Sequence, residues 1–278
     1  MSEVIDQIKN EILDAIEHDR LVLPTLPEVA LQVREAAADE NVDVKKLTAV
    51  IINDAALSAR IIKVANSPLL RASQAIEDLG MAVMRLGIDY TANLATGLAM
   101  EQMFQATSDV VDSYMRDVWA KSTEVAGISH VLCRHYTKLR PDQATLAGLV
   151  HKIGVLPILT YAEDNRKLLK DIPLLDQIIN EVHPIIGTKI LQKWDFLEEL
   201  QLVPEEHLHY DRSVDTPDYA DIVMVATLQS YIGTDHPCTQ MDWSAVSAFE
   251  RLGLDPDINT HEVEDLSEDM EAAMALLQ

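Results

Sequence analysis

The chain has 278 residues, of which 48% are hydrophobic and 24% are charged, a composition typical of a globular protein with a substantial core. Its formal charge is −24, from 46 acidic and 22 basic residues, so its electrostatic field repels nucleic acids and anionic membrane surfaces. We therefore expect no nucleic acid and no membrane among its partners.

Helices are predicted along almost the whole chain, because apolar residues recur at intervals of three and four. Only nine glycines and no Asn-Gly or Asp-Gly hairpin signal argue against sheets, so the predicted fold class is all-α. The predicted helices cover residues 3–18, 44–52, 55–65, 78–86, 89–104, 110–136, 142–152, 154–162, 173–182, 184–194, 196–210 and 217–232.

Capping residues support several of these boundaries. Thr25 and Glu28 have the spacing of a capping box, which predicts one more helix starting near Pro27. Asp43 and Asp54 each precede a periodic run, where a carboxylate can accept hydrogen bonds from the first helical turn. An acidic segment, residues 255–278, keeps helical apolar spacing and predicts a terminal helix.

The chain is expected to stay in the cytoplasm. Charges interrupt the apolar runs before the roughly 18 residues that suggest a transmembrane helix, and the first residues lack the pattern of a signal peptide. Cys133 and Cys238 lie far apart without metal-like spacing, which is typical of buried small side chains in a reducing compartment.

One window carries a resemblance to known chemistry. Residues 147–154 read AGLVHKIG, in which a predicted helix ends in His151 at a glycine-containing turn. This window resembles the LLHDIG signature of the HD superfamily of metal-dependent phosphohydrolases. In that superfamily an adjacent His and Asp, an earlier His and a later Asp hold a divalent metal that activates water against a phosphoester.

Further motifs resemble one branch of that superfamily, the HDOD domain (HD-related output domain) of bacterial signalling proteins. Residues 23–27 (LPTLP) resemble its LPxLP entry, and residues 54–67 (DAALSARIIKVANS) resemble its DPxLxAxxLxxANS helix. Later segments are similar to its AIxxLG, WxxS and HxxxGxxLxxxW patterns. The family-motif positions in this chain are Pro24, Pro27, Asn66, Ser67, Trp119, His183 and Trp194.

The resemblance spans about residues 16–235 and implies a multi-helix, HD-domain-like bundle with an N-terminal helical subdomain. We expect that subdomain over residues 1–104, the HD-like half over residues 105–235, and an acidic helical tail over residues 236–278.

The metal-ligand positions implied by the resemblance are Lys121, His151, Lys152 and Thr227, so three of the four ligands are replaced. A protonated lysine has no lone pair to donate, and two lysines would repel a divalent cation. The sequence therefore predicts no metal, no cofactor and no catalytic residue.

Two alternatives remain open for this site. His183, His207 and His209 are available as a different ligand set, although ordinary hydrogen bonding at helix ends, or solvation of His209, accounts for them more simply. Lys121, His151 and Lys152 are also placed to converge as a pocket for a small anion such as a phosphate or nucleotide. Against that pocket stands ion pairing of the lysines with neighbours such as Glu124.

The resemblance implies a regulatory output module that acts by binding unidentified signalling proteins, rather than an enzyme. The alternatives are an active metal-dependent phosphohydrolase and a module that senses an anion or nucleotide through the former metal pocket.

Overall fold

The structure is a computed structural model that describes residues 2–18, 20–67, 70, 75–106, 108–165, 167–257, 269, 272–273 and 277. These residues form an all-α fold without strands, as predicted. Its helices are α1 (Ser2–Glu17), α2 (Glu28–Ala38), α3 (Val44–Ile51), α4 (Ala55–Ala65), α5 (Leu79–Leu86), α6 (Ile88–Ala99), α7 (Asp109–Tyr136), α8 (Pro141–Val150), α9 (Val155–Asp164), α10 (Ile172–Lys193), α11 (Glu198–Gln201), α12 (Val203–Glu206), α13 (Tyr219–Gln229) and α14 (Ser247–Leu252). The predicted terminal helix over residues 255–278 lies mostly outside the described residues.

Aspartate caps begin several helices where they were predicted. Asp43 accepts a hydrogen bond from the Lys46 amide at 2.7 Å, and Asp54 accepts one from the Leu57 amide at 3.0 Å. The predicted capping box at Thr25 is wrong, because α2 begins at Glu28 and its N-cap is Pro27, which has no side-chain acceptor. The single aspartate caps therefore predicted the starts of α3 and α4 correctly, whereas the capping-box motif did not predict the N-cap of α2.

The predicted break at Pro184 is also wrong, since α10 continues through it. Proline removes one amide donor from a helix and leaves the carbonyl four residues earlier without its partner. The His183 imidazole, beside the proline, donates to the Ile179 carbonyl at 2.7 Å, and the residues on both sides of Pro184 in this part of α10 are buried in the core. The predicted helix over residues 196–210 is instead two single turns, α11 and α12.

The centre of the fold is the antiparallel pair α7 and α8, with α6 and α13 packed against it. Every residue of α8 except Pro141 is buried, and so are the residues of α13 from Tyr219 to Leu228. The segment Pro141–Asp164 is long and apolar enough to cross a membrane, yet 83% of its apolar window is buried inside the fold. Such burial is typical of helices in a protein core.

The N-terminal helices are fastened to the end of α10. Arg34 of α2 donates to the carbonyls of Trp194 at 2.6 Å and Asp195 at 2.7 Å, and its guanidinium lies 4.5 Å from the ring centre of Phe196. The Trp194 indole donates to the Pro24 carbonyl at 3.0 Å. Two motif positions far apart in sequence, Pro24 and Trp194, thus form one contact.

Candidate histidine and lysine site

Three histidines meet at the end of the bundle where α8, α10 and α12 approach one another. His151 follows α8, His183 lies inside α10, and His207 follows α12; their exposed fractions are 0%, 2% and 1%. The ring centres of His151 and His207 are 5.1 Å apart, and those of His183 and His207 are 6.2 Å apart. We call these three residues the histidine cluster.

Each ring of the histidine cluster is fixed by its Nδ1 atom, which donates to a backbone carbonyl. The acceptors are Gly148 at 2.6 Å for His151, Ile179 at 2.7 Å for His183 and Val203 at 2.9 Å for His207. Because a carbonyl only accepts, the proton of each neutral ring sits on Nδ1 and the lone pair sits on Nε2. All three Nε2 atoms are buried without a hydrogen-bond partner among the described residues.

The histidine cluster is held in the neutral state. Burial lowers the pKa of His183 to about 3 and that of His207 to about 4, and it lowers the pKa of His151 well below its usual value. The charge of Lys152 lowers all three pKa values further. At neutral pH the cluster therefore presents three acceptors and no donor.

Lys152 stands next to the histidine cluster without an anionic partner. Its Nζ atom reaches the Tyr231 hydroxyl at 3.5 Å, and no carboxylate within the described part of the chain pairs with it. Burial and the nearby charge of Lys121 lower the pKa of Lys152 to about 8. This lysine therefore carries a positive charge at neutral pH in a confined position.

Lys121 is differently placed, because it has partners. It donates to Glu124 at 2.6 Å and to the Ser230 carbonyl at 2.9 Å, and its ammonium lies 4.8 Å from the ring centre of Tyr231. The ion pair with Glu124 that the sequence raised as an alternative is thus present. Thr227, the fourth predicted position, is 8% exposed, and its hydroxyl has no partner among the described residues.

The residues that lie together in the structure are not the same set that the sequence predicted. His183 and His207 lie beside His151 in the histidine cluster, and each also makes the ordinary hydrogen bond to a backbone carbonyl four residues earlier that its position in or after a helix suggested. His209 stays apart, with a side chain 54% exposed beside Glu206. The available signal was the HxxxG spacing of His183, which places a histidine one turn before a glycine.

Two glycines let the histidine-bearing segments approach. A Cβ atom on Gly154 would meet the carbonyl oxygen of His183 and would lie 2.5 Å from the amide nitrogen of Gly187. A Cβ atom on Gly187 would lie 2.7 Å from Cβ of Pro204 in α12. The glycine of the HxxxG pattern is therefore required by close packing of α10 against both neighbours.

Gly154→Ala is expected to destabilise the protein by about 1–3 kcal/mol, because two backbone segments would have to move apart. Urea unfolding measures this change. Gly80→Ala is the matched control, since its new Cβ would face only a side-chain oxygen of Asp78 at 3.2 Å. Equal stability losses in both variants would contradict the close-packing explanation.

The residues at this site do not fit the metal centre implied by the sequence resemblance. Hard divalent cations prefer carboxylate oxygens, and the four ligand positions supply none. Imidazole nitrogens suit borderline metals, but the charge of Lys152 opposes a cation between them. In the described ranges no group of three or more His, Cys, Asp or Glu side chains has an arrangement that holds a metal ion.

Known proteins resemble this chain over most of its length. Residues 23–210 match the HDOD domain. A solved structure from Shewanella amazonensis SB2B, named "Putative metal-dependent phosphohydrolase", is 32% identical, covers 100% of both chains and superposes with a TM-score of 0.87. An HDOD domain protein with unknown function from Geobacter sulfurreducens has a TM-score of 0.64 at 19% identity, covering 100% of this chain and 99% of its own.

One sequence relative is longer than this chain. An uncharacterized protein from Treponema pallidum (strain Nichols) is 25% identical over 251 residues, which cover 82% of this chain and 46% of that protein. The chain thus spans about half the length of this curated relative.

Proposed function

Because the chain belongs to the HDOD domain family, which is related to the HD phosphohydrolase superfamily, we propose that it is a regulatory module that works by binding rather than by hydrolysis. Its partner would be a signalling protein of the bacterial cytoplasm. The strongly acidic charge of −24 supports a protein partner over nucleic acid.

One observation supports this proposal. The motif resemblance places Lys152 where the superfamily has its metal-binding aspartate, and the charge of Lys152 acts on all three rings of the histidine cluster. Two unit charges 4 Å apart repel by about 4 kcal/mol at an effective dielectric constant of 20, and a divalent ion doubles that cost. A carboxylate at this position would attract a divalent cation, whereas the ammonium of Lys152 repels it.

Metal analysis combined with a phosphodiester assay tests the proposal. The protein is purified without chelator, its metal content is measured by mass spectrometry, and hydrolysis of bis(p-nitrophenyl) phosphate is followed with added Mn²⁺. We expect no stoichiometric metal and no turnover above background. His209→Ala is the matched control for His151→Ala, because His209 is exposed.

The opposite outcome is equally specific. One metal per chain, with turnover that His151→Ala abolishes and His209→Ala preserves, would establish the alternative, a metal-dependent phosphohydrolase. The name carried by the Shewanella protein is compatible with that alternative.

A second candidate function is favoured by a separate observation. Lys152 lacks a carboxylate partner among the described residues, although the chain contains 46 acidic residues. An ammonium that is partly removed from water without a carboxylate partner is destabilised, and a bound anion would offset that cost. The module would then respond to a small anion as well as to a protein partner.

A further inference from the structure

The last described residues of the chain return to the helical bundle. Asp269, Ala272, Ala273 and Leu277 are helical, and Ala273 and Leu277 are each only 2% exposed. Asp269, Ala273 and Leu277 are spaced four residues apart, so they lie on one face of a helix. We call these three residues the C-terminal clasp, because this face contacts the rest of the protein.

Polar contacts fasten both ends of the C-terminal clasp. The Asp269 carboxylate lies 3.5 Å from Nε2 of His135, in the last turn of α7. The Leu277 carbonyl accepts a hydrogen bond at 2.6 Å from Arg60 of α4, whose guanidinium also pairs with Glu101. Since eight residues of helix rise about 12 Å, the clasp bridges the distance between the end of α7 and α4.

The surface under the C-terminal clasp complements an acidic helix. The side chains that contact the polar atoms of the clasp are Arg60 and His135, in a chain with 46 acidic and only 22 basic residues. The side chain of Arg60 is 23% exposed, and its several N–H donors serve Glu101 and a helix carbonyl at once. The surface therefore suits a helix with a carboxylate at one end, a small residue in the middle and a leucine at the other end.

The described contacts of the C-terminal clasp are few. The Asp269 and His135 side chains stay 39% and 38% exposed, and an exposed pair of this kind favours closure by about fivefold at most. Burial of the Leu277 side chain adds about 10- to 100-fold. Contacts of this strength leave a minor open state of about 0.1–10%, which a competing helix can capture.

We propose that the surface between α4 and the end of α7 is a docking site for an acidic amphipathic helix of a partner protein. The C-terminal clasp covers this surface until the partner helix displaces it. The partner helix carries Asp or Glu, a small residue and a leucine at successive intervals of four residues, as the clasp does. This inference rests on the proposed function, in which the chain binds a signalling protein, and it adds the surface and the kind of helix.

A peptide that competes with the C-terminal clasp tests the inference. A fluorescein-labelled peptide of residues 265–278 is titrated with the full-length protein, and its binding is followed by fluorescence anisotropy. Leu277→Asp in the protein removes the buried side chain of the clasp and should bind the peptide at least about 10-fold more tightly than the wild type does. Leu197→Asp is the matched control, because Leu197 is 58% exposed, and it should bind like the wild type.

Further variants test each end of the docking site. Asp269→Asn in the protein leaves the apolar contacts in place and should strengthen peptide binding by up to about fivefold. Arg60→Met added to Leu277→Asp removes the donor on the receiving surface and should weaken peptide binding by about 10-fold. Arg116→Met, with a side chain 70% exposed on α7, is the matched control for that change. Circular dichroism verifies that each variant is folded.

Four results would overturn the inference: no peptide binding to any variant, equal binding to the wild type and Leu277→Asp, binding unaffected by Arg60→Met, or a wild-type dimer that Leu277→Asp dissociates. The last result, measured by light scattering, would place the clasp on a second copy of the chain. Stoichiometric metal with phosphodiester turnover would defeat the proposed function. Inactive, metal-free protein that binds no peptide would defeat only this inference.

Discussion

Acidification from pH 7 to pH 4.5 is expected to cost the folded protein about 2–3 kcal/mol for each of His183 and His207. An unfolded histidine binds its proton near pH 6.5, whereas burial lowers the pKa of His183 to about 3 and that of His207 to about 4. Between these values the unfolded state binds more protons than the folded state. These two histidines therefore do not reduce the free energy of unfolding well above pH 6.5, and they reduce it progressively as the pH falls toward 4.

Urea unfolding between pH 7 and pH 4.5 measures the effect, and a variant isolates it from other titrations. His207→Phe should reduce the slope of unfolding free energy against pH by up to about 1.4 kcal/mol per pH unit, the value for one proton. His209→Phe, at an exposed position, is the matched control for the substitution itself. Carboxylate titration and relief of the charge of −24 act on both variants alike. Identical slopes in wild type and His207→Phe would contradict the prediction.

Sequence patterns predicted helices well where the decisive interactions are local. Asp43 and Asp54 begin helices because their side chains bond amides three residues later, which sequence spacing alone reveals. The same local reasoning failed at Pro184, because α10 continues through this buried proline. Helix continuity there depends on tertiary packing, which propensity does not encode.

The candidate site was only partly predictable for a similar reason. His151 and Lys152 are adjacent, so one motif revealed both. His183 and His207 come close to His151 only because Gly154 and Gly187 allow their segments to pack at backbone distance. His151 and His183 are 32 residues apart in sequence and His183 and His207 are 24 apart, and periodicity carries no information about contacts over such separations.

Asp221→Asn is expected to destabilise the protein by about 3–5 kcal/mol, because it removes the charge from a buried ion-pair network. Asp221 is 0% exposed and receives two hydrogen bonds from Arg251, at 2.7 and 2.8 Å. It also accepts one from Arg212 at 3.0 Å. Since Arg251 belongs to α14 and Asp221 to α13, the network fastens residues 247–252 to the core.

Urea unfolding of Asp221→Asn, with Asp211→Asn as the exposed matched control, measures the loss. The control should change stability by no more than about 0.5 kcal/mol. The cost arises mainly from the arginine charge left without its partner, so replacing both members should recover much of it. Asp221→Leu combined with Arg251→Met is therefore expected to be more stable than Asp221→Asn, while Arg212 keeps Asp218 at 2.6 Å. A double variant as unstable as the single one would show that α14 is held by the charges themselves.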